Sequence, residues 1–165
     1  MYFDRFPTTY YTLDDQKTVQ IVRNIFLRIV INDTIKSNLS LIDEYDIVEG
    51  DTPEIVAHKF YRNSQYHWLI LHMNDILDPR YDWPLSSNNL VKYCEGKYTN
   101  IYATHHYENA NGDWVNSNYP SATAISNYTY EDRLNESKRR IKVLKPQYVE
   151  SVLREFTNKL EGING

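Results

Sequence analysis

The chain has one cysteine, five glycines and two methionines in 165 residues, and no long apolar run. The lone Cys94 excludes an internal disulfide. Nothing near it in sequence activates a thiol, and its plain reading is a small, half-buried side chain. With so few glycines there is no Gly-rich loop to cradle a phosphate, and no strand-to-helix Gly-x-Ser-x-Gly turn. No apolar stretch approaches the roughly 20 residues needed to cross a bilayer. The opening Met-Tyr-Phe-Asp-Arg-Phe-Pro carries an acid and no apolar centre, unlike a signal peptide. The expectation is a chain made and kept in a cytoplasm. There, the Asn-x-Ser/Thr sequons at Asn38, Asn127 and Asn135 are chance occurrences.

Positive charge is also scarce. The net charge is -4 and the isoelectric point is near 5.7, which argues against general nucleic-acid binding. The one basic cluster, Lys138-Arg139-Arg140 with Lys142 and Lys145, reads as a solvated or protein-contacting strand face. What is abundant is aromatic surface: 15 Tyr, 5 Phe and 3 Trp. Tyrosine joins an apolar face to a polar tip, so it suits the half-wet contacts between proteins in an assembly.

No residue set compels chemistry. His67 and His72 are spaced off a common helical face, and the adjacent His105 and His106 on a strand point to opposite sides. Glu54 and His58 share a helical face but lack a third ligand, so an ion pair is the reading. The paired acids Asp14-Asp15 and Asp43-Glu44 have nothing in sequence that places them in a cleft. The expectation is no enzyme, no cofactor and no metal.

The organisation is α+β. Residues 1–16 read as an extended polar and aromatic arm. Phe3, Phe6, Tyr10 and Tyr11 are costly to leave in water, so they dock either on a partner or on the chain's own core. Residues 17–31 are rich in β-branched residues, which favours a strand able to pair with a partner's sheet, although Val19, Val22, Phe26, Ile29 and Val30 also fit a helical face. A strand at 41–48 precedes a turn at Gly50-Asp51. Thr52 caps a helix whose first residue, Pro53, has no N–H to waste. Val56, Ala57 and Phe60 repeat at helical spacing. Asn63 or Ser64 caps a second helix over 64–74, in which Trp68 to Met73 is apolar nearly all round and needs cover, from the chain or a partner.

Asp78-Pro79 ends that unit, and 82–85 is the expected closing strand. Ser86 caps a helix to about Glu95, with Gly96 as its stop. Asn111-Gly112 marks a hairpin over 98–118. A Tyr/Ser/Asn-rich stretch at 117–130 leads to a strand at 140–144. Pro146 opens a last helix with a stripe of Val149, Val152, Leu153, Phe156 and Leu160, ended by Gly162.

Gly50, Asp51, Thr52, Val56, Ala57 and Phe60, followed by Leu71 and Asn74, resemble a LysM domain, a small βααβ module. A wider set occurs in order: Phe6-Pro7, Gly50-Asp51-Thr52-Pro53-Glu54, Tyr66-His67-Trp68, Asn74-Asp75, Asp78-Pro79 and Trp83-Pro84-Leu85-Ser86. This resembles the LysM-containing baseplate wedge subunits of contractile-tailed, T-even-like bacteriophages. The family often has Gly in the inter-helix turn, where this chain has Arg62-Asn63; Asn tolerates the left-handed conformation.

The resemblance implies a structural subunit of the virion's tail baseplate, joining neighbouring wedge proteins during tail assembly, in six copies per particle, without nucleic acid or membrane. It places Gly50, Asp51, Thr52, Pro53, Val56, Ala57, Phe60, Trp68, Leu71, Asn74, Asp78, Pro79 and Trp83 in a LysM-like core. The organisation expected is an N-terminal arm and strand over 1–40, the core and following helix over 41–96, and a hairpin, strand and amphipathic helix over 97–165. The alternative is a LysM module gripping peptidoglycan, with a groove near 51–54 and 76–82.

Overall fold

The computed structural model describes residues 6–12, 19–24, 35–36 and 38–162, and its elements can be traced to local chemistry. Thr52 is extended, and its hydroxyl accepts the Ile55 N–H at 3.3 Å, which starts helix α1, Pro53–Tyr61. Arg62 ends α1 in the left-handed region (φ 57°), donating its N–H to His58 O at 3.0 Å. The left-handed residue of this turn is thus Arg62 rather than Asn63. Asn63 stays extended, and its side chain accepts the Gln65 N–H at 2.9 Å, capping a 3-10 turn, Ser64–Tyr66. That turn runs into α2, His67–Met73.

Strand β3, Ile42–Asp46, pairs with β7, Arg140–Leu144. The pairing is antiparallel: the Lys145 N–H donates to Leu41 O and the Ile47 N–H to Arg139 O, both at 2.9 Å. The strand expected at 82–85 does not form. Asp78 caps a short helix α3, Pro79–Asp82, its carboxylate accepting the Arg80 N–H at 3.0 Å. Asp-Pro is as good a helix start as a stop, and Pro84 lacks the N–H a ladder needs. β3 pairs instead with β7, where Ile141 and Val143 alternate into the interior.

Contacts divide the chain into two compact units that interleave in sequence. The first is 1–45, 51–77 and 142–165; the second is 46–50 and 78–141. The first unit's core packs α2 (Trp68, Leu69, Met73) against Val149, Val152, Leu153 and Phe156 of α6, Pro146–Gly162. Trp68 and Phe156 have ring centroids 4.9 Å apart. The chain's own last helix therefore helps to cover the all-apolar helix. Phe6, 1 % exposed, joins this core at 6.2 Å from Phe156. Val56 and Ala57 are fully buried, while Phe60 and Leu71 are half-buried. The Leu160 side chain lies outside the described residues.

Residues 1–16 are not simply an arm. Thr8–Thr12 is a strand, β1, paired antiparallel with β2, Val19–Arg23. The strand expected over 17–31 is seen as β2; 25–31 lie outside the described residues. The ribbon's base is tied down by the Arg23 guanidinium on Phe6 O at 2.7 Å and the Asn24 N–H on Pro7 O at 2.8 Å.

The second unit holds α4, Ser87–Lys97, then a three-stranded antiparallel sheet, then α5, Asn127–Glu136. Gly96 lies inside α4 rather than stopping it. The sheet order is β5–β4–β6, with β4 Thr104–Glu108, β5 Trp114–Val115 and β6 Thr123–Ser126. The Asn111-Gly112 turn forms as expected, with Gly112 at φ 84°. The Asn109 side chain also accepts the N–H groups of Asn111 and Asp113. The third strand and α5 fall in the stretch left without structure in the sequence reading. α5 escaped notice because its buried residues are Asn127, Glu131 and Asn135, a polar stripe at i, i+4, i+8 that apolar periodicity cannot register.

Two substitutions test this packing. Ala57→Leu forces extra methylenes into a fully buried position in α1 and lowers stability by about 1–3 kcal/mol, read as a lower denaturant midpoint. Asn74→Ala removes a side chain that accepts the Lys142 N–H at 2.7 Å and donates to Lys142 O at 2.8 Å. It costs about 1–2 kcal/mol and speeds hydrogen exchange at the Lys142 amide.

Candidate functional site

The candidate core residues fall into both units. In the first, Asp51 is not a free surface acid: its carboxylate accepts Tyr45 OH at 2.5 Å and the Lys59 ammonium at 2.6 and 2.8 Å. The Lys59 pKa is raised chiefly by its hydrogen bond to Asp51. This clasp fixes β3 to α1, and the Phe60 ring stands edge-on to Tyr45 at 5.2 Å. Asn74 bridges the α2 terminus to β7, also donating to Ile70 O at 2.9 Å. In the second unit, Gly50 turns the chain at φ 86°, Asp78 and Pro79 start α3, and Trp83 is buried.

The four aromatic residues proposed for docking separate clearly. Phe3 lies outside the described residues. Of the two surfaces open to it, Phe6 takes the chain's own core rather than a partner's. Tyr10 and Tyr11 are 77 % and 52 % exposed. In the β1–β2 register Tyr10 faces Ile21 and Thr12 faces Val19, and cross-strand partners share a face. Ile21 and Val19 are themselves 66 % and 59 % exposed. One face of a two-stranded ribbon thus presents an apolar row to the surroundings.

The second unit holds a dense polar and aromatic cluster. His105 stacks on Tyr130 and His106 on Trp114, each with centroids 4.0 Å apart. The two histidines do not point apart as strand alternation requires: their Nδ1 atoms are 2.9 Å from each other. The reason is a register shift in the β4–β6 ladder between Thr104 and His106. His106 Nε2 contacts Glu108 at 2.9 Å, and Arg133 reaches both Glu108 oxygens at 2.7 and 2.8 Å. Arg133 first, then His106, holds the Glu108 carboxyl below its usual range. The cluster locks β4 to α5. Among the described residues no three His, Cys, Asp or Glu side chains are placed to hold a metal, and Glu54 and His58 form no ion pair. Cys94 is buried, and that burial raises the pKa of its thiol.

The polar stripe of α5 is satisfied throughout. Asn127 donates to Asn100 O at 2.9 Å. Glu131 accepts from Lys97 and Tyr98, each at 2.7 Å. Burial opposes the charge on Glu131, but the hydrogen bonds from Lys97 and Tyr98 prevail and its pKa is lowered. Asn135 accepts the Leu85 N–H at 2.7 Å and donates to Leu85 O at 3.0 Å. Beside α5 lies a pocket of about 630 Å³ formed wholly by residues of this unit, from Arg80 to Lys138. The basic run is mostly committed internally. Arg139 pairs with Glu136 and Glu49, Lys142 donates to Lys36 O, and Lys145 donates to Ser40 O. No helix among the described residues is long and apolar enough to cross a membrane.

Known proteins place these features in a family. Residues 1–119 match the model of a family described as base plate wedge protein 53. The chain is similar to the baseplate wedge protein gp53 of Enterobacteria phage T4, 25 % identical over 142 residues, which span 71 % of this chain and 72 % of that protein. The chain belongs to the base plate wedge protein 53 family and is a structural protein of the baseplate wedge in the phage virion's tail.

Proposed function

We propose that the β1–β2 ribbon is the part of this wedge subunit that docks on another baseplate protein. The observation that carries the reading is the exposed row of Tyr10, Ile21 and Val19 on a ribbon anchored at its base through Phe6. A two-stranded ribbon by itself is marginal in water, and an apolar row on it gains most by burial against a partner. Its strand edges offer backbone hydrogen bonds to an added strand, which supports sheet extension as the mode of contact. Tyr10 then acts as this contact's aromatic anchor, while Tyr11 stands on the ribbon's opposite face beside Gln20.

β3, α1, α2 and β7 are read as a LysM-like βααβ core, with residues 78–141 inserted before its closing strand. Support comes from the Gly50-Asp51-Thr52 start, from the two helices α1 and α2 that follow β3 directly, and from the antiparallel pairing of β3 with β7. The role assigned to this core is to hold shape, with no cofactor and no catalytic step. The peptidoglycan-binding alternative finds no support in the matched family, and Asp51, at its supposed groove, is already bound by Tyr45 and Lys59. Further readings of the wedge role are a hetero-oligomeric setting with several different neighbours and six copies per particle. Quantitative mass spectrometry of purified tails tests the copy number, and a value other than six removes that part of the reading.

The docking test must spare Phe6. Deleting residues 1–12 removes a core ring, and losing a buried Phe costs about 3–5 kcal/mol by itself. The double variant Tyr10→Ser, Ile21→Ser changes exposed side chains only and leaves stability within about 0.5 kcal/mol. Its incorporation into wedges falls about tenfold or more, measured by sedimentation of assembly intermediates. Normal incorporation of this folded variant removes the ribbon from the interface.

A further inference from the structure

We propose that the pocket beside α5 binds a short acidic segment of another protein. It seats an aliphatic or aromatic side chain against Leu85, Leu90 and Leu134, and a neighbouring carboxylate on Lys138. The whole chain carries a net charge of -4, yet the Lys, Arg and Glu side chains lining this pocket are three cations and one anion. Two of the cations are neutralised in place: Arg80 by Asp78 at 2.9 Å and Lys97 by Glu131 at 2.7 Å. Lys138 differs. Its ammonium donates to the Tyr81 carbonyl at 2.7 Å and, among the described residues, meets no carboxylate. An ammonium has three donors, so Lys138 is held at the wall with donors to spare for an incoming anion.

The apolar side of the pocket is equally open. Tyr81, Leu134 and Tyr93 are 66 %, 42 % and 40 % exposed, and all three line it. Large apolar side chains gathered around one concavity, beside one available cation, match a segment in which an apolar residue adjoins an acid. The amide of Asn89, exposed on the wall, suits a peptide backbone. A phosphate ligand fits less well, because one available cation and no Gly-rich loop make a weak phosphate site. The proposal rests on the baseplate reading only for the source of the segment, a neighbouring wedge protein. It does not depend on the β1–β2 ribbon.

The test begins with the purified full chain and amide chemical shifts. The probe peptide acetyl-Glu-Phe-Leu-Asp-amide is titrated against its charge-swapped form, acetyl-Lys-Phe-Leu-Lys-amide, and against inorganic phosphate. The expected result is saturable shifts at Leu90, Leu134 and Lys138 with the acidic peptide only. Lys138→Glu weakens that binding about tenfold, and Lys138→Arg retains it. Equal binding of the basic peptide, a response to phosphate alone, or no response at these residues overturns the proposal. A photo-crosslinking side chain at position 89 then identifies the segment in assembled tails. A wedge-protein peptide with an acid beside an apolar residue supports the assignment, and a crosslink to a second copy of this chain refutes it. A chain that binds the acidic peptide but never enters tails counts against the baseplate reading and leaves the pocket chemistry standing.

Discussion

The pairing of β3 with β7 is the constraint on which the rest depends. The Ile47 carbonyl and the Arg139 guanidinium that meet at one end of it are 92 residues apart in sequence. Closing so long a loop costs on the order of 4 kcal/mol of chain entropy. Backbone hydrogen bonds alone offset little of that, because each replaces one made to water. The remainder comes from side chains that act only when the strands are in place. Asn74 bonds to both backbone groups of Lys142, in the manner of a neighbouring strand. Ile42, on β3, and Leu144, on β7, join the core formed by α2 and α6.

Asparagine recurs in this role. In the second unit Asn135 makes the same two-way bond to Leu85, and with Asn127 and Glu131 it forms a buried polar stripe. Such a stripe contributes less burial energy than leucines would. Its value is directional: each group is satisfied by one particular partner, so misplaced packing leaves a buried polar atom bare. For a protein that must present fixed surfaces to its neighbours, one well-defined arrangement serves better than a slightly more stable but looser core.

The ion pairs and histidine contacts of the second unit tie one element to another, and the basic run is spent on internal bonds. Among the described residues the exposed remainder is largely apolar, the outer row of the β1–β2 ribbon and the open wall of the pocket, with the Lys138 ammonium beside that wall.

The residues between Gly50 and Met73 determined their own structure. The Thr52 cap, Pro53, the apolar spacing and Asn63 act within a few residues, so α1, the 3-10 turn and α2 are legible in sequence. The Asn111-Gly112 turn and α6 are local in the same sense, and the family resemblance rests on short ordered motifs. Tertiary structure decided the choices that local chemistry leaves balanced. The strand expected at 82–85 gives way to 140–144 as β3's partner, because Ile141 and Val143 bury while Pro84 cannot donate. Phe6 was equally suited to a partner or to its own core until Phe156, 150 positions later in the chain, supplied the contact. Helix α5 was invisible because its partners are polar and distant: Glu131 makes sense only beside Lys97 and Tyr98, and Asn135 only beside Leu85. Periodicity detects burial when burial is apolar; a polar face becomes readable only once the groups that satisfy it are brought to it.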